Sequence, residues 1–139
     1  MGGRGGAGYA GGTRALYNKV KKPWGGATIN QNTGKAVPDN ADAYAVATTD
    51  TIEIPEDATY AQFARAYARA QARFGGSSHI GIFHDNAKGT IEFNGATVVK
   101  STADVDKLWK AGNPITGGAY HFKTGNGYWP QGRPAQYAA

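Results

Sequence analysis

Three side chains in the second half of the sequence, Glu92, His121 and Lys123, are of types that can cleave RNA without a metal ion. A base would take the 2′-hydroxyl proton, an acid would protonate the leaving oxygen, and a cation would stabilise the charge that develops on the phosphate. Neighbouring residues of a strand point to opposite faces, and we expect Tyr120 and Phe122 to face a helical layer. His121 and Lys123 would then share the open face of the sheet with Glu92. The alternative is that all three are ordinary polar residues on a half-exposed sheet.

The sequence does not predict a metal site. His79 and His84 lie five residues apart on one predicted strand, so their side chains point to opposite faces and cannot both ligate one ion. The chain has no cysteine, and it contains neither an H-x-H nor an H-E-x-x-H motif. The glycine-rich start does not follow a strand, so it is not a dinucleotide-binding loop. We therefore expect no metal and no small-molecule cofactor.

Charge is divided along the first 57 residues of a chain whose formal net charge is +5. The first 35 residues contain no acid, and their basic residues are Arg4, Arg14, Lys19, Lys21, Lys22 and Lys35. The following stretch contains no Lys or Arg, and its acids are Asp39, Asp42, Asp50, Glu53, Glu56 and Asp57. A glycine-rich basic arm over residues 1–36 buries too little apolar surface to fold alone, and it attracts polyanions. We expect nucleic acid or a larger protein assembly to order this arm, with no membrane involved.

Two further groups of residues are candidates for binding. Arg65, Arg69 and Arg73 recur every four residues on a predicted helix and form a ridge that could track a phosphate backbone or an acidic protein surface. An ordinary solvated helix face is the alternative. In the C-terminal tail, aromatic side chains among glycines and prolines can stack on bases, anchor an interface, or fold back onto the core. The tail candidates are Tyr128, Trp129 and Arg133.

Residues 15–24 could form about two helical turns, with Leu16 and Val20 four positions apart, before Pro23 and the following glycines stop them. The elements that would position the candidate residues begin near residue 43. Alternating apolar residues predict a strand over 44–54, and the capping box of Thr59 and Gln62 predicts the start of a helix that ends before Gly75. A second helix follows Ser101, with Val105, Leu108 and Trp109 expected to face inward.

A hairpin is predicted between the two helices, over residues 79–94. Its four-residue loop, 86–89, pairs Ile82 with Phe93 on the buried face and leaves Phe83 on the open face. A last strand near residues 117–124 completes the order β-α-β-β-α-β.

This order predicts an α+β fold, a ferredoxin-like split βαβ sandwich with two helices on one face of an antiparallel sheet. The alternative is a helix packed on an antiparallel meander. We expect three segments: the basic arm 1–36, a globular domain 37–124, and an aromatic Gly/Pro-rich tail 125–139. The sequence has no apolar run long enough to span a bilayer and no signal peptide. We expect a soluble protein of the host cytoplasm or the virion.

The opening sequence MGGRGGAG resembles the starts of small proteins encoded near the head genes of bacteriophages. The resemblance implies a viral origin, and small viral proteins of this kind are often virion components or inhibitors of host defence. We therefore expect a non-enzymatic interaction protein associated with virion assembly. Two alternatives stay open: a small metal-independent ribonuclease or toxin, and an anti-CRISPR-like inhibitor of a host nuclease complex whose acidic stretch 39–57 mimics nucleic acid.

Overall fold

The computed structural model describes residues 8–115 and 118–132, which form three helices and six strands. The helices are α1 (Thr13–Lys21), α2 (Tyr60–Arg73) and α3 (Thr102–Lys110). The strands are β1 (Gly26–Asn30), β2 (Tyr44–Pro55), β3 (His79–Asp85), β4 (Thr90–Val99), β5 (Ala119–His121) and β6 (Gly127–Tyr128). The predicted α+β class is confirmed.

All six strands belong to one antiparallel sheet with the order β1-β3-β4-β2-β5-β6. β3 and β4 form the predicted hairpin, and Ile82 pairs with Phe93 as the buried face requires. β4 lies between β3 and β2, so the alternative of a sequential meander is wrong. Two strands were not predicted: β1 extends the sheet beyond β3, and β6 extends it beyond β5. The sheet is therefore wider than a four-stranded sandwich.

α2 covers the centre of one face of the sheet. The predicted capping box is confirmed: the Thr59 hydroxyl accepts the Gln62 N–H, and the Gln62 side chain accepts the Thr59 N–H. Apolar residues three and four positions apart then place Phe63 and Tyr67 against the strands. The Phe63 ring centroid lies 5.4 Å from that of Phe93. Burial in this cluster raises the pKa of Tyr67 to about 12.

The segment from α1 to β1 is part of this core and not of a free arm. Leu16 and Val20 lie four residues apart on α1 and are both 0% exposed, and Ile29 of β1 is 1% exposed. α1 ends before Pro23, whose ring holds Lys22 in an extended conformation. The predicted basic arm is therefore wrong from residue 13 onward. A short helix that would be unstable alone is stabilised here because the sheet and α2 cover its apolar side.

α3 packs on the same face of the sheet as α1 and α2. β2 has a register shift between residues 47 and 51. In the part of β2 before this shift, Val46 packs with Val105 of α3. The predicted cap at Ser101 is confirmed, but Trp109 was expected to face inward and is 42% exposed. The opposite face of the sheet is not covered by any helix of residues 8–115 or 118–132.

Candidate functional site

The helix-free face of the sheet forms a half-open groove of about 590 Å³. Small residues make its floor: Ala45, Ala47, Gly81 and Ala96. Aromatic residues make its walls: Trp24, Phe83, Tyr120 and Trp129. A concave site of this volume, with mostly apolar walls and a few polar groups, is typical of a ligand-binding site.

Trp24 forms the rim of the groove in a strained backbone conformation. Its φ is 54°, and within the described residues it is the one non-glycine with a positive φ. A side chain in this left-handed region costs roughly 1–2 kcal/mol. The Trp24 side chain is 54% exposed, and its ring centroid lies 5.9 Å from that of Phe83. Backbone strain of this kind is typical of functional sites.

Contacts on both sides of Trp24 impose this conformation. The Trp24 N–H donates to the side-chain oxygen of Asn86. His84 Nδ1 donates to two carbonyl oxygens at the end of α1, at 3.1 and 3.0 Å, and its Nε2 lies 2.9 Å from a Glu56 carboxylate oxygen. A Cβ at Gly25 would lie 2.5 Å from a carbonyl oxygen of α1, so only glycine fits there. The Trp-Gly-Gly sequence therefore turns the chain sharply and presents the indole at the rim.

Tyr120 and Trp129 form the opposite wall. The Tyr120 side chain is 44% exposed, and its ring packs edge-on against Phe122 at a centroid distance of 5.8 Å. Trp129 packs directly on the backbone of Gly118 and Gly127, where an added Cβ would overlap its indole. The described part of the tail thus folds back onto the sheet, and its glycines are required to seat Trp129.

Two polar side chains of β4, Glu92 and Asn94, reach the groove. The Glu92 Oε2 accepts a hydrogen bond from the Thr90 hydroxyl at 3.1 Å and lies 3.2 Å from Lys88 Nζ. Lys88 also pairs with Glu53 at 2.8 Å, and the hydrogen bonds of these two carboxylates raise the pKa of Lys88 well above its usual value. Within the described ranges, neither the Asn94 side-chain amide nor Glu92 Oε1 has a hydrogen-bond partner. Both remain available to a ligand.

The predicted catalytic residue His121 lies outside the groove. Tyr120 faces the groove, so the neighbouring His121 faces the other side of β5, where its ring stacks on Tyr44 at 4.5 Å. His121 Nε2 lies 2.8 Å from a carboxylate oxygen of Asp42, and its Nδ1 lies 2.7 Å from the Thr124 hydroxyl. The histidine therefore has a structural role that connects β5 to the loop before β2.

The predicted catalytic set is not assembled. Glu92 lines the groove, whereas His121 lies behind the sheet and Lys123 lies in the exposed turn after β5. β2 separates β4 from β5, and two strand spacings amount to about 10 Å. The expected orientation of β5 was inverted: Tyr120 faces the groove, and Ala119 is the residue that packs beneath α3. Burial of the larger Tyr120 was expected, but the small Ala119 is the residue that fits where α3 approaches the sheet closely.

Three of the five described basic residues of the predicted arm are tied to the domain. Three contacts join α1 to its surroundings: Lys19 to Asp39 at 3.1 Å, Lys21 to the Glu56 carbonyl oxygen at 2.6 Å, and Arg14 to the Tyr60 ring at 3.9 Å from its centroid. Lys22 and Lys35 are exposed. Arg4 and the tail residue Arg133 lie outside the described residues. Tyr128 of β6 donates its hydroxyl to Asp106 of α3 at 2.6 Å.

The predicted arginine ridge lies on the exposed side of α2, a helix without acidic residues. Arg73 at its end pairs with Asp50. Arg65 and Arg69 form no ion pair within the described residues. The ridge therefore presents two uncompensated charges of its three.

The acids of residues 39–57 are mostly paired inside the molecule. The ion pairs and histidine pairs are Asp39–Lys19, Asp42–His121, Asp50–Arg73, Glu53–Lys88 and Glu56–His84. The charge division of the sequence thus becomes a set of contacts between segments that are distant along the chain. Lys or Arg compensates three of the six acids, whereas Asp42 and Glu56 contact histidines and Asp57 has no ion pair within the described residues. The stretch therefore keeps part of the negative charge that nucleic-acid mimicry would need.

Within the described ranges, no three His, Asp or Glu side chains come together as a metal site, and no helix is long and apolar enough to cross a membrane. No protein-family model, curated protein or solved structure matches this chain.

Part of the groove was visible in the sequence. Hairpin register placed Phe83 and Glu92 on the open face, as the structure shows. Trp24 was missed because Pro23 and the two glycines were interpreted as a helix stop alone. A second signal was the run of small residues at alternate positions, such as Ala45 and Ala47, which marks a strand face that leaves space above it.

Proposed function

We propose that this chain is a non-enzymatic binding protein that holds a planar group of its partner, such as an aromatic ring, against the aromatic walls of the groove. The strained and exposed Trp24 carries the proposal, because an ordinary turn would relieve both the backbone strain and the apolar exposure. The groove volume of about 590 Å³ is large enough for an amino-acid side chain or a small ring system.

The chemistry of the groove favours binding over catalysis. His84 and His121 have their hydrogen-bond partners on the helical side of the sheet, and neither lines the groove. Glu92 is engaged by Lys88 and Thr90, and no imidazole of the described residues lines the groove beside it to share a proton transfer. The ribonuclease hypothesis thus loses the geometry on which it depended.

A fragment titration tests the groove. Isotope-labelled protein is titrated with a panel of small aromatic and heteroaromatic compounds while amide and indole NMR signals are recorded. We expect the binding compounds to shift signals of Trp24, Phe83 and Tyr120, with affinities in the millimolar range that is usual for small ligands.

The chain offers a matched control for this titration. Trp109 is a second exposed tryptophan, and it lies on α3, away from the groove. Trp24→Ala should abolish binding and Trp109→Ala should preserve it. Shifts scattered over the surface, or equal losses in both variants, would refute the proposal.

A second candidate function is attraction of a polyanion, favoured by the acid-free exposed side of α2. Affinity for single-stranded RNA is measured against salt concentration for the Arg65→Gln/Arg69→Gln variant and for Lys107→Gln/Lys110→Gln on α3, which loses the same charge. We expect the slope of log K against log salt to fall by about 1.4 for the α2 variant only, at roughly 0.7 per single-strand phosphate contact. Equal changes in both variants would indicate that RNA affinity depends on the net charge of the protein and not on the arginine ridge of α2.

Two wider proposals accompany this function. The inner strands β3, β4, β2 and β5, with α2 and α3, are proposed as a ferredoxin-like unit that β1 and β6 extend, on the support of their order of connection. A role in bacteriophage assembly is likewise a proposal, supported by the glycine-rich start of the sequence. Residues 1–7 lie outside the described part of the chain.

A further inference from the structure

The charges around the groove differ in sign from those of the molecule. The chain has a formal net charge of +5, yet the charged residues that line the groove are Asp39 and Glu92, with no Lys or Arg among the described lining residues. Asp39 is compensated by Lys19 at 3.1 Å. Glu92 is therefore the remaining acid of the groove, and the net charge of the groove depends on how far a neighbouring cation neutralises this carboxylate.

Glu92 is only half compensated. One ammonium group, Lys88, lies between two carboxylates, at 2.8 Å from Glu53 and 3.2 Å from Glu92. The three groups together carry a charge of −1. Lys88 and Thr90 both contact the Oε2 atom of Glu92, which leaves Oε1 as an acceptor. The Glu92 side chain is 16% exposed, so solvent screens it less than it would screen a surface acid.

The aromatic walls are suited to a cation. Trp24 and Tyr120 are 54% and 44% exposed, so parts of their rings are open to a bound group. Negative charge on the faces of aromatic rings attracts cations, and a guanidinium group is favoured because its plane can stack on an indole. A phosphate or carboxylate ligand would instead meet Glu92 without a basic residue to offset it.

From this arrangement we infer that the groove binds an arginine side chain presented by a protein partner, an inference that rests on the proposed function. The guanidinium would stack against Trp24, donate to Oε1 of Glu92, and donate to the side-chain oxygen of Asn94. The small floor residues Ala45 and Ala47 leave room for the aliphatic part of the side chain. An arginine has the five donors and the planar shape that these acceptors and walls require.

Two peptides that differ by one charge test this inference. Acetyl-Gly-Arg-Gly-amide and its citrulline counterpart have nearly the same size, but only the arginine peptide is charged. Each is titrated into the full chain, and binding is followed by the NMR signals of the Trp24 indole and of the Glu92 backbone. We expect the arginine peptide to bind on the order of tenfold more tightly, with a preference that weakens as salt is added.

Three variants test which side chains cause the preference for the arginine peptide. Glu92→Gln keeps the shape of the side chain and should lower the preference for arginine severalfold, because the carboxylate supplies most of it and the aromatic rings supply the rest. Trp24→Ala should weaken both peptides, and Trp109→Ala should leave both affinities unchanged. Equal affinity of the two peptides, no binding of the arginine peptide, or an unaltered preference in Glu92→Gln would overturn the inference. Equal binding that Trp24→Ala abolishes would still support the proposed function, so the two ideas fail separately.

Discussion

Trp24 carries a cost in stability, because its backbone is left-handed and its large apolar side chain is exposed. Its left-handed backbone is enforced by the Asn86 side chain before β4 and by the close approach of Gly25 to α1. Glycine adopts such a conformation without strain, whereas alanine keeps the strain and loses only the indole.

We therefore expect Trp24→Gly to be more stable than Trp24→Ala by about 1 kcal/mol, measured by urea unfolding. Neither variant should bind aromatic fragments. If Trp24→Ala were as stable as Trp24→Gly, the backbone strain assigned to this position would be absent.

His121 gives a second prediction at the residue scale. Its hydrogen bond to Asp42, together with its charge, lowers the pKa of that carboxyl below the ordinary value of 3.8. A group whose pKa is lowered on folding contributes stability above its unfolded pKa, and that contribution is lost as the pH falls through the folded pKa.

Unfolding curves of the wild type and Asp42→Asn should therefore differ at pH 6 and converge as the pH falls below about 4. Asp57→Asn is the control, since Asp57 forms no ion pair within the described residues. Curves of Asp42→Asn that stay equally far from the wild type at every pH would contradict the assigned contact.

At the scale of elements, β1 and the packing of α1 into the core are the parts that the sequence did not predict. β1 contributes a single fully buried large residue, Ile29, and α1 contributes only Leu16 and Val20. Too few apolar residues recur for a periodic pattern, and the surrounding glycines and lysines favour a disordered interpretation. These elements are stable because α2 and β3 already present an apolar surface to them.

Ile29→Ala should lower the free energy of unfolding by about 2–5 kcal/mol, as expected for a residue of a packed core. The measurement is urea unfolding, with the exposed Thr33→Ala as control. A loss below about 0.5 kcal/mol would show that the segment is dispensable to the fold and would restore the hypothesis of a basic arm.

Elements with a strong local signal were predicted well. The capping box fixed the start of α2, and the four-residue loop fixed the register of the β3–β4 hairpin, which placed Phe83 and Glu92 correctly. β5 has three residues and β6 has two, so alternation had too little length to orient Tyr120. Site residues on the long strands β3 and β4 were therefore predictable from the sequence. Site residues on the short strand β5 and in the turn at Trp24 were not.

At the scale of the whole molecule, the two faces of the sheet have opposite characters. The helical face carries the exposed arginines Arg65 and Arg69, while the groove keeps the partly compensated Glu92 between aromatic walls. Ion pairs with Lys or Arg compensate three of the six acids of residues 39–57: Asp39, Asp50 and Glu53. A partner with exposed arginine would be directed to the groove and repelled by the helices.

Photo-cross-linking in an extract of the cells that naturally make the protein tests the claim that the groove is the binding surface. Phe83 is replaced by p-benzoylphenylalanine in one form and Trp109 in another, so that the reactive group lies in the groove or on α3. We expect one dominant cross-linked protein from position 83, lost when Trp24→Ala is added and absent from position 109. The same products from both positions, or none from position 83, would contradict the account.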